Sequence, residues 1–375
     1  MGLKNKNPHN PFLFCVIRAI FTAIMKSLPT TITDPVYIPK EKYSLYDKFW
    51  LQIMYDKRDL PFIYLLTTIH LLVLPVTILL FTTVLTGWWW WAVAIPYFYV
   101  SQFYFKGSFG LMFHCLCHRK TFKAPYQKPL LAYITWIICP LFGHAPEGYF
   151  SHHMGMHHIE NNMPDDTSST MPYQRDSVKG FLAYFFKFIS VGVINTIFYL
   201  FSRKRKKLGN RLTAGEYIYL AFCIAMCFVN LKATLVVFII PLIFARLVMM
   251  LGNWTQHSFI DGSDPENLYT SSINCINTVY NHKCWNDGYH IVHHLRPGMH
   301  YTEMPDEFIK RKDEFAANKA IVFDGIHYLH IFTWLLTKRY DKLADNLVNI
   351  NGNMFQSKEE AIALMKERTR KIPCL

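Results

Sequence analysis

Long apolar segments alternate with polar segments along this chain. Pro61–Thr86 carries no Asp, Glu, Lys or Arg, and a second apolar segment follows at Trp88–Phe105. Two more fill Tyr217–Leu251, where Asn230 and Lys232 interrupt the run. A helix needs about 20 apolar residues to cross a bilayer, and a charge at mid-bilayer costs about 2.5–3.5 kcal/mol, which favours a turn at Lys232. The pattern predicts four transmembrane helices.

Two further apolar segments are predicted to lie on the membrane surface. Pro129–Phe142 is shorter than the ~17–25 residues that a spanning helix needs. Phe181–Phe201 is long enough, but the basic run Arg203–Lys207 follows it, and such runs mark the cytosolic side. If Phe181–Phe201 crossed the membrane, the two remaining spans could not return the later histidines to the cytosol. We therefore expect an interfacial helix there.

Positive charge collects on one side of the predicted spans. The chain has 39 Lys and Arg against 26 Asp and Glu, a net charge of +13. Basic residues flank the outer ends of the first two spans, whereas the turn between them has none. The positive-inside rule places both termini and the polar segments in the cytosol, and the endoplasmic reticulum is the expected membrane. Because the excess charge lies beside apolar segments, where it attracts anionic lipid, no nucleic-acid partner is expected.

The N-terminal segment Pro11–Ser27 is apolar, but Arg18 and Lys26 interrupt it. We predict an amphipathic helix on the membrane surface, with an organelle-targeting peptide as the alternative. The nine cysteines show no paired spacing, which favours free thiols in a reducing compartment.

Four short histidine clusters lie in the predicted cytosolic segments. His290, His293 and His294 have i, i+3, i+4 spacing, and those positions share one face of a helix. We therefore expect these three imidazoles to converge on one point. Four-residue spacings recur at His114 and His118, at His153 and His157 with His158 adjacent, and at Asn253 and His257. Four such spacings in one chain indicate a metal centre.

The number and type of ligands narrow the choice of metal. The sequence contains neither zinc-site C-x2-C pairs nor the zinc-protease motif H-E-x-x-H. Imidazole binds iron, copper, nickel and zinc, so ligand type alone leaves the metal open. Nine clustered histidines are enough for two metal ions with open positions. Two irons can reduce dioxygen to an oxidant that attacks an unactivated C–H bond, and the place beside the membrane suits a lipid substrate.

The motifs H-x3-H, H-x3-H-H and H-x2-H-H resemble the histidine boxes of the membrane fatty-acid desaturase superfamily, which also includes lipid hydroxylases and acetylenases. The order is similar too: two spans, two boxes, two spans and a third box. The resemblance covers Pro61–Met304 and implies a non-haem di-iron centre, O2 as co-substrate and electrons from cytochrome b5 or ferredoxin. No His-Pro-Gly-Gly signature of a fused cytochrome b5 domain is visible, so we expect an external donor that docks on the basic cytosolic face.

The same resemblance implies a set of metal-site residues, of which Asn253 acts through a water. The nine histidines of the set are His114, His118, His153, His157, His158, His257, His290, His293 and His294. The expected fold is an all-α membrane protein with four transmembrane helices and a cytosolic helical cap that carries the di-iron site. Its predicted parts are residues 1–60 (a cytosolic N-terminal segment), 61–304 (the catalytic domain) and 305–375 (a cytosolic helical tail).

Several residues near the boxes carry a second interpretation. His152 precedes His153, and a shifted alignment would make it the ligand; the i, i+4 spacing to His157 favours His153. Residues that could orient a ligand histidine, with loop or helix-cap duty as the ordinary alternative, are His144, Glu147, Asp165 and Asp287. Residues expected to serve structure or surface are His70, His282, His300, His327 and His330.

The expected function is O2-dependent introduction of a double bond into a lipid acyl chain. Box one has three residues between its histidines, not the four of animal acyl-CoA desaturases, so that substrate class is not assumed. A lipid hydroxylase or acetylenase of the same superfamily is the nearest alternative. From other classes, a membrane zinc hydrolase or a haem electron-transfer protein would also use clustered histidines.

Overall fold

The computed structural model describes residues 25–373 and is mostly helical, at 66%. Two short parallel pairs of strands accompany the helices: Lys26–Ser27 with Val348–Asn349, and Asn274–Ile276 with Val322–Asp324. The expected mainly helical class is confirmed. The predicted N-terminal helix Pro11–Ser27 lies outside the described residues except for its last three, of which Lys26 and Ser27 form a strand.

The helical segments follow one another closely. The α-helices are Leu45–Ile53, Leu60–Leu72, Leu74–Phe81, Gly87–Tyr99, Lys106–His118, Ala124–Tyr133, Cys139–Leu141, Gly148–His152, His158–Glu160, Val178–Lys187, Val193–Ser202, Lys206–Thr234, Ile240–Gln256, Val279–Lys283, His290–Leu295, Met304–Lys310, Lys312–Ala317, Tyr328–Leu336, Tyr340–Asn346 and Lys358–Arg368. The π-helical segments are Val100–Phe105, Ile134–Ile138, His153–His157, Phe188–Gly192 and Leu235–Ile239. Short 3-10 helices occupy Lys57–Asp59, Tyr301–Glu303 and Ile350–Gly352.

Three helical stretches among the described residues are long and apolar enough to cross a membrane: Lys57–Phe81, Val178–Ser202 and Lys206–Gln256. The first contains most of the first predicted span. The second is the segment predicted to lie on the surface, and its length and composition are compatible with either placement. A four-span topology therefore stays a prediction.

The long stretch Lys206–Gln256 is a helical hairpin. Asn230 has an extended backbone (φ −158°, ψ 100°) inside it, where the sequence predicts a break. The hydroxyl of Tyr219 donates to the carbonyl oxygen of Phe238 at 3.2 Å, and residues on opposite sides of Asn230 can meet in this way only if the chain turns back. The ammonium of Lys232 lies 5.1 Å from the centre of the Trp90 ring, so the charge is stabilised at this turn.

The predicted second span, Trp88–Phe105, forms the α-helix Gly87–Tyr99 and its π-helical continuation Val100–Phe105. It packs against the first span, because the indole N–H of Trp90 donates to the carbonyl oxygen of Leu80 at 3.0 Å. The segment is not among the three candidate spans. Its many Trp and Tyr side chains are only partly apolar, which is typical of a helix at the membrane–water boundary.

The predicted cytosolic parts share one core. Tyr289 and Val292 beside box three pack in the same cluster as Phe308, Phe323 and Ile331. Residues before and after position 304, the predicted domain boundary, therefore pack together in one hydrophobic core. The N-terminal segment joins this unit through Asp34.

The carboxylate of Asp34 accepts hydrogen bonds from the backbone N–H groups of Asn277 and Thr278 and from the hydroxyl of Tyr289. Tyr289 directly precedes the helix of box three, so these contacts fix the start of that helix.

Candidate metal centre

The nine predicted ligand histidines come together in two groups. The first group consists of His114, His118, His153, His158 and His293, and the second group consists of His157, His257, His290 and His294. Within each group the potential ligand atoms all lie within 4.8 Å of one another. All members are buried except His118 and His158, which are partly exposed. The histidine spacings in the sequence thus identified residues that lie together in the folded protein.

The triplet of box three does not converge on one point, so that expectation is wrong. His293 belongs to the first group, whereas His290 and His294 belong to the second. Adjacent residues on an α-helix point about 100° apart, because 3.6 residues complete a turn. The short helix His290–Leu295 therefore lies between the two groups and contributes to both.

Box two divides in a similar way, for a different reason. His153–His157 is π-helical, and its wider turn brings His153 next to His158, five residues on, with their Nε2 atoms 3.0 Å apart. His157 joins the second group instead. The i, i+4 reason for choosing His153 over His152 is therefore wrong, yet His153 is the one in a histidine group. His152 packs on Phe188, with 5.8 Å between ring centres.

The first group brings ring nitrogens together in a way that hydrogen bonding alone does not satisfy. The five Nε2 atoms form a row in the order His114, His293, His158, His153, His118. The distances between successive atoms in this row are 3.1, 2.9, 3.0 and 2.9 Å. Three of these atoms each face two others, but a neutral ring nitrogen offers one proton or one lone pair. A cation among the lone pairs satisfies all of them, so the residues fit a metal ion.

Contacts at the opposite ring nitrogen orient several of these histidines. Nδ1 of His157 lies 2.7 Å from a carboxylate oxygen of Asp166, and Nδ1 of His257 lies 2.7 Å from the carbonyl oxygen of Ser271. With the proton held at Nδ1, each Nε2 presents a lone pair to its group. Nε2 of His257 is buried and has no hydrogen-bond partner among the described residues. That atom also fits a metal ligand.

Burial lowers the pKa of several of these imidazoles. Burial, followed by the neighbouring imidazoles, lowers the pKa of His118 to about 2. The same two causes lower the pKa of His257 to about 3 and hold that of His293 well below its usual range. Neutral imidazole is the form that binds metal, so the groups are ready to bind at neutral pH.

Of two carboxylates predicted to orient a ligand histidine, one lies near such a histidine and the other does not. Asp287 lies 3.6 Å from Nδ1 of His114 and accepts a hydrogen bond from Tyr280. Asp165 points to the surface and pairs with Arg203, so it does not serve the histidines. Its neighbour Asp166 does.

Asp166 is fully buried and accepts hydrogen bonds from the backbone N–H and hydroxyl of Ser168. Burial alone would raise the pKa of Asp166, but the electrostatic attraction and hydrogen bond with His157 outweigh it, and the pKa falls below its usual range. In the sequence nothing distinguishes Asp166 from Asp165; only the loop that turns one inward does.

Three histidines outside the two groups have structural partners. His300 lies 3.0 Å from a carboxylate oxygen of Asp59, and His70 lies 2.7 Å from the hydroxyl of Tyr133. His327 caps the helix Tyr328–Leu336. Glu147 pairs with Arg211 at 2.6 Å, away from both groups. His282 and His330 belong to neither histidine group.

A cavity of about 190 Å³ adjoins both groups, and we call it the metal-side chamber. Its polar wall is formed by His114, His153, His157, His290 and Asn253. Its apolar wall is formed by Leu111, Val248, Met249 and Met250, and Gly107, Gly110 and Gly252 also line it. A Cβ added at Gly252 would meet no atom within 4 Å, although alanine suits a helix better by about 1 kcal/mol. Glycine there leaves room in the chamber.

Asn253 is oriented by its amide nitrogen, which donates to the carbonyl oxygen of Ser168 and to the hydroxyl of Tyr184, both at 2.8 Å. The carbonyl oxygen of the side chain is the end that remains to accept a hydrogen bond. Tyr184 belongs to the segment predicted to be interfacial, so that segment supports the site.

The comparison with protein families gives a match to the fatty acid desaturase family over residues 88–324. This region contains both histidine groups, Asp166 and the metal-side chamber. The chain belongs to the fatty acid desaturase family. The comparisons with curated proteins and with solved structures returned no match.

Membership of the desaturase family confirms the resemblance seen in the histidine boxes and makes the protein an oxidoreductase that acts on fatty acids. The match ends at Asp324, in the strand that pairs with Asn274–Ile276, so it extends beyond the region that the boxes suggest. The family region therefore includes part of the core that is shared across position 304.

Proposed function

We propose that this member of the desaturase family holds two irons and desaturates an acyl lipid with O2. The observation that carries the proposal is the division of nine clustered histidines into two adjacent groups beside a chamber with an apolar wall. The proposed ligands are the five histidines of the first group and the four of the second. Asn253 is proposed to hold a water on one metal through its side-chain oxygen.

Two irons bound there would supply the reduction of O2 and the removal of hydrogen from a C–H bond. Overall, the substrate loses two hydrogens, two molecules of a one-electron carrier give one electron each, two protons come from water, and O2 leaves as two waters. The chain itself binds and orients the acyl segment. Leu111, Val248 and Met250 offer apolar contact along the chamber, and His114 and His290 face the same space.

The electron donor is proposed to be an external cytochrome b5 or ferredoxin. His118 and His158 are the members of the two groups that are partly exposed, so the first group lies nearer the surface. Arg119 follows His118 and pairs with Asp56 at 2.9 Å. An acidic carrier would find positive charge beside this edge.

The test is metal analysis of purified protein combined with lipid profiling in a host that supplies cytochrome b5 and its reductase. We expect about two irons per chain, no Soret band and new double bonds in the host's acyl chains. One zinc per chain with hydrolysed lipid, or a haem spectrum, would contradict the proposal. Hydroxylated chains without new double bonds would assign the protein to the hydroxylases of the same superfamily.

We further propose the four-span topology with every histidine box in the cytosol, most simply in the endoplasmic reticulum. The segment Val178–Ser202 supports this placement, because one side of it follows the box-two loop. Tyr184 donates to the carbonyl oxygen of Ser168, and Thr196 lies 3.0 Å from Thr167. A helix that contacts a cytosolic loop along its length fits an interfacial position better than a crossing.

A topology reporter inserted in the basic run Arg203–Lys207 tests this arrangement. We expect cytosolic accessibility at that run and at the C-terminus. Extracytosolic accessibility of the run would show that Val178–Ser202 crosses the membrane, and the four-span topology would then be wrong.

A further inference from the structure

A second, smaller cavity adjoins the metal-side chamber, and we call it the polar chamber. Its volume is about 50 Å³. Five residues line both chambers and form their shared wall: His144, Tyr149, His152, Ala245 and Met249. None of the nine grouped histidines lines the polar chamber. A molecule that extends through both chambers would therefore have one end at the metals and the other in the polar chamber.

The polar chamber contains an ion pair at the cytosolic end of the helical hairpin. The guanidinium of Arg246 donates to a carboxylate oxygen of Glu216 at 2.8 Å. The two side chains are 19% and 20% exposed, so both are largely removed from water. A guanidinium has five N–H donors, and this bond uses one of them. The chamber thus offers further donors to a ligand.

His152 supplies a second donor group. Its Nε2 atom is buried and has no hydrogen-bond partner among the described residues, and the ring lines both chambers. A buried polar atom destabilises the fold unless something pairs with it. His152 is also the histidine that stands outside both metal groups, so metal binding does not account for it.

The other cation near the metals is already satisfied. Lys106 lines the metal-side chamber, and its ammonium donates to the side-chain oxygen of Gln102 at 3.0 Å and to the carbonyl oxygen of Phe142 at 2.6 Å. Phe142 follows the helix Cys139–Leu141, so Lys106 serves a helix end. The polar chamber is therefore the better place for a polar group of the substrate.

We propose that the polar chamber binds the compact oxygen-bearing end of the acyl substrate, a carboxylate or a carbonyl, through Arg246 and His152. This inference rests on the proposed function. A space of about 50 Å³ suits a few atoms of a compact polar group. Arg246 presents N–H donors, and the neutral ring of His152 can donate from Nε2, so both can bind acceptor oxygens. The two chambers are adjacent, so a substrate chain that passes from one to the other would bring a carbon near its polar end to the metals.

The test compares His152→Phe with His152→Gln in the full-length, iron-loaded protein, with straight-chain fatty acids of graded length supplied to the expression host. Phe removes the donor and Gln keeps one. We expect wild type to place its double bond near the carboxyl end. His152→Phe should lower kcat/KM by at least about tenfold, the loss of one hydrogen bond to a charged group, and scatter the bond position, whereas His152→Gln should keep most of both.

Arg246→Lys provides a second variant, since it keeps the charge paired with Glu216 but loses the additional N–H donors. We expect the same direction of change, with unchanged iron content and thermal stability. His327→Gln, outside both chambers, is the matched control. A wild-type double bond near the methyl end, or unchanged products from both His152→Phe and Arg246→Lys, would overturn the inference alone. Iron-loaded wild type that oxidises no acyl chain would overturn the proposed function together with it.

Discussion

His293→Ala is expected to abolish lipid oxidation while leaving membrane insertion intact. Nε2 of His293 lies 3.1 Å from that of His114 and 2.9 Å from that of His158, so this ring is central to the first group. The helix His290–Leu295 lies outside the candidate spans, so removing the imidazole ring of His293 should not alter membrane insertion. Lipid profiling and iron analysis of the purified variant check this, and we expect less than the wild-type iron content.

The matched control for this variant is His327→Ala. His327 belongs to neither histidine group and caps the helix Tyr328–Leu336, so its removal should cost some helix stability and no activity. Full oxidation activity in His293→Ala would exclude His293 as a ligand. Loss of activity in both variants would indicate a general folding defect.

Asp166→Asn is expected to weaken iron binding and activity by about 10–100-fold, the usual effect of losing a carboxylate that orients a ligand histidine. The carboxylate lies 2.7 Å from Nδ1 of His157 and is completely buried. Asparagine has nearly the same shape but no charge, so it would stabilise the proper ring orientation less. Iron retained after dialysis against a graded series of chelator concentrations measures the change.

Asp165→Asn is the control, because Asp165 is exposed and pairs with Arg203 on the surface. It should keep wild-type iron retention, since surface ion pairs contribute little. Thermal unfolding of both variants separates a metal effect from a loss of loop structure. Equal iron retention in Asp166→Asn and Asp165→Asn would show that Asp166 does not orient a ligand.

The apolar pattern predicted helical segments well where charge and polarity mark their ends. Asn230 breaks the hairpin where the sequence places a turn, and Lys232 finds the face of Trp90 there. The sequence does not decide whether Val178–Ser202 crosses the membrane, because an amphipathic surface helix and a crossing helix can have similar length and composition. Its placement depends on what its inner side contacts, which is a property of the folded chain.

The histidine spacings identified which residues assemble but not how they divide. An α-helical period assigns His153 and His157 to one face, yet the π-helix between them sends these rings to different groups. Likewise His293 and His294 are neighbours in the chain and belong to different groups. Spacing rules assume a regular helix, and the local backbone departs from it at this site.

By itself the sequence determined the class of protein and the set of candidate metal-binding side chains, because hydropathy and residue type are local properties that can be counted along the chain. The tertiary structure alone decided which histidines share a group, that Asp166 rather than Asp165 turns inward, and that two chambers meet at His152. These features join residues far apart in the chain. Their relative positions follow from packing between helices, which no single segment encodes.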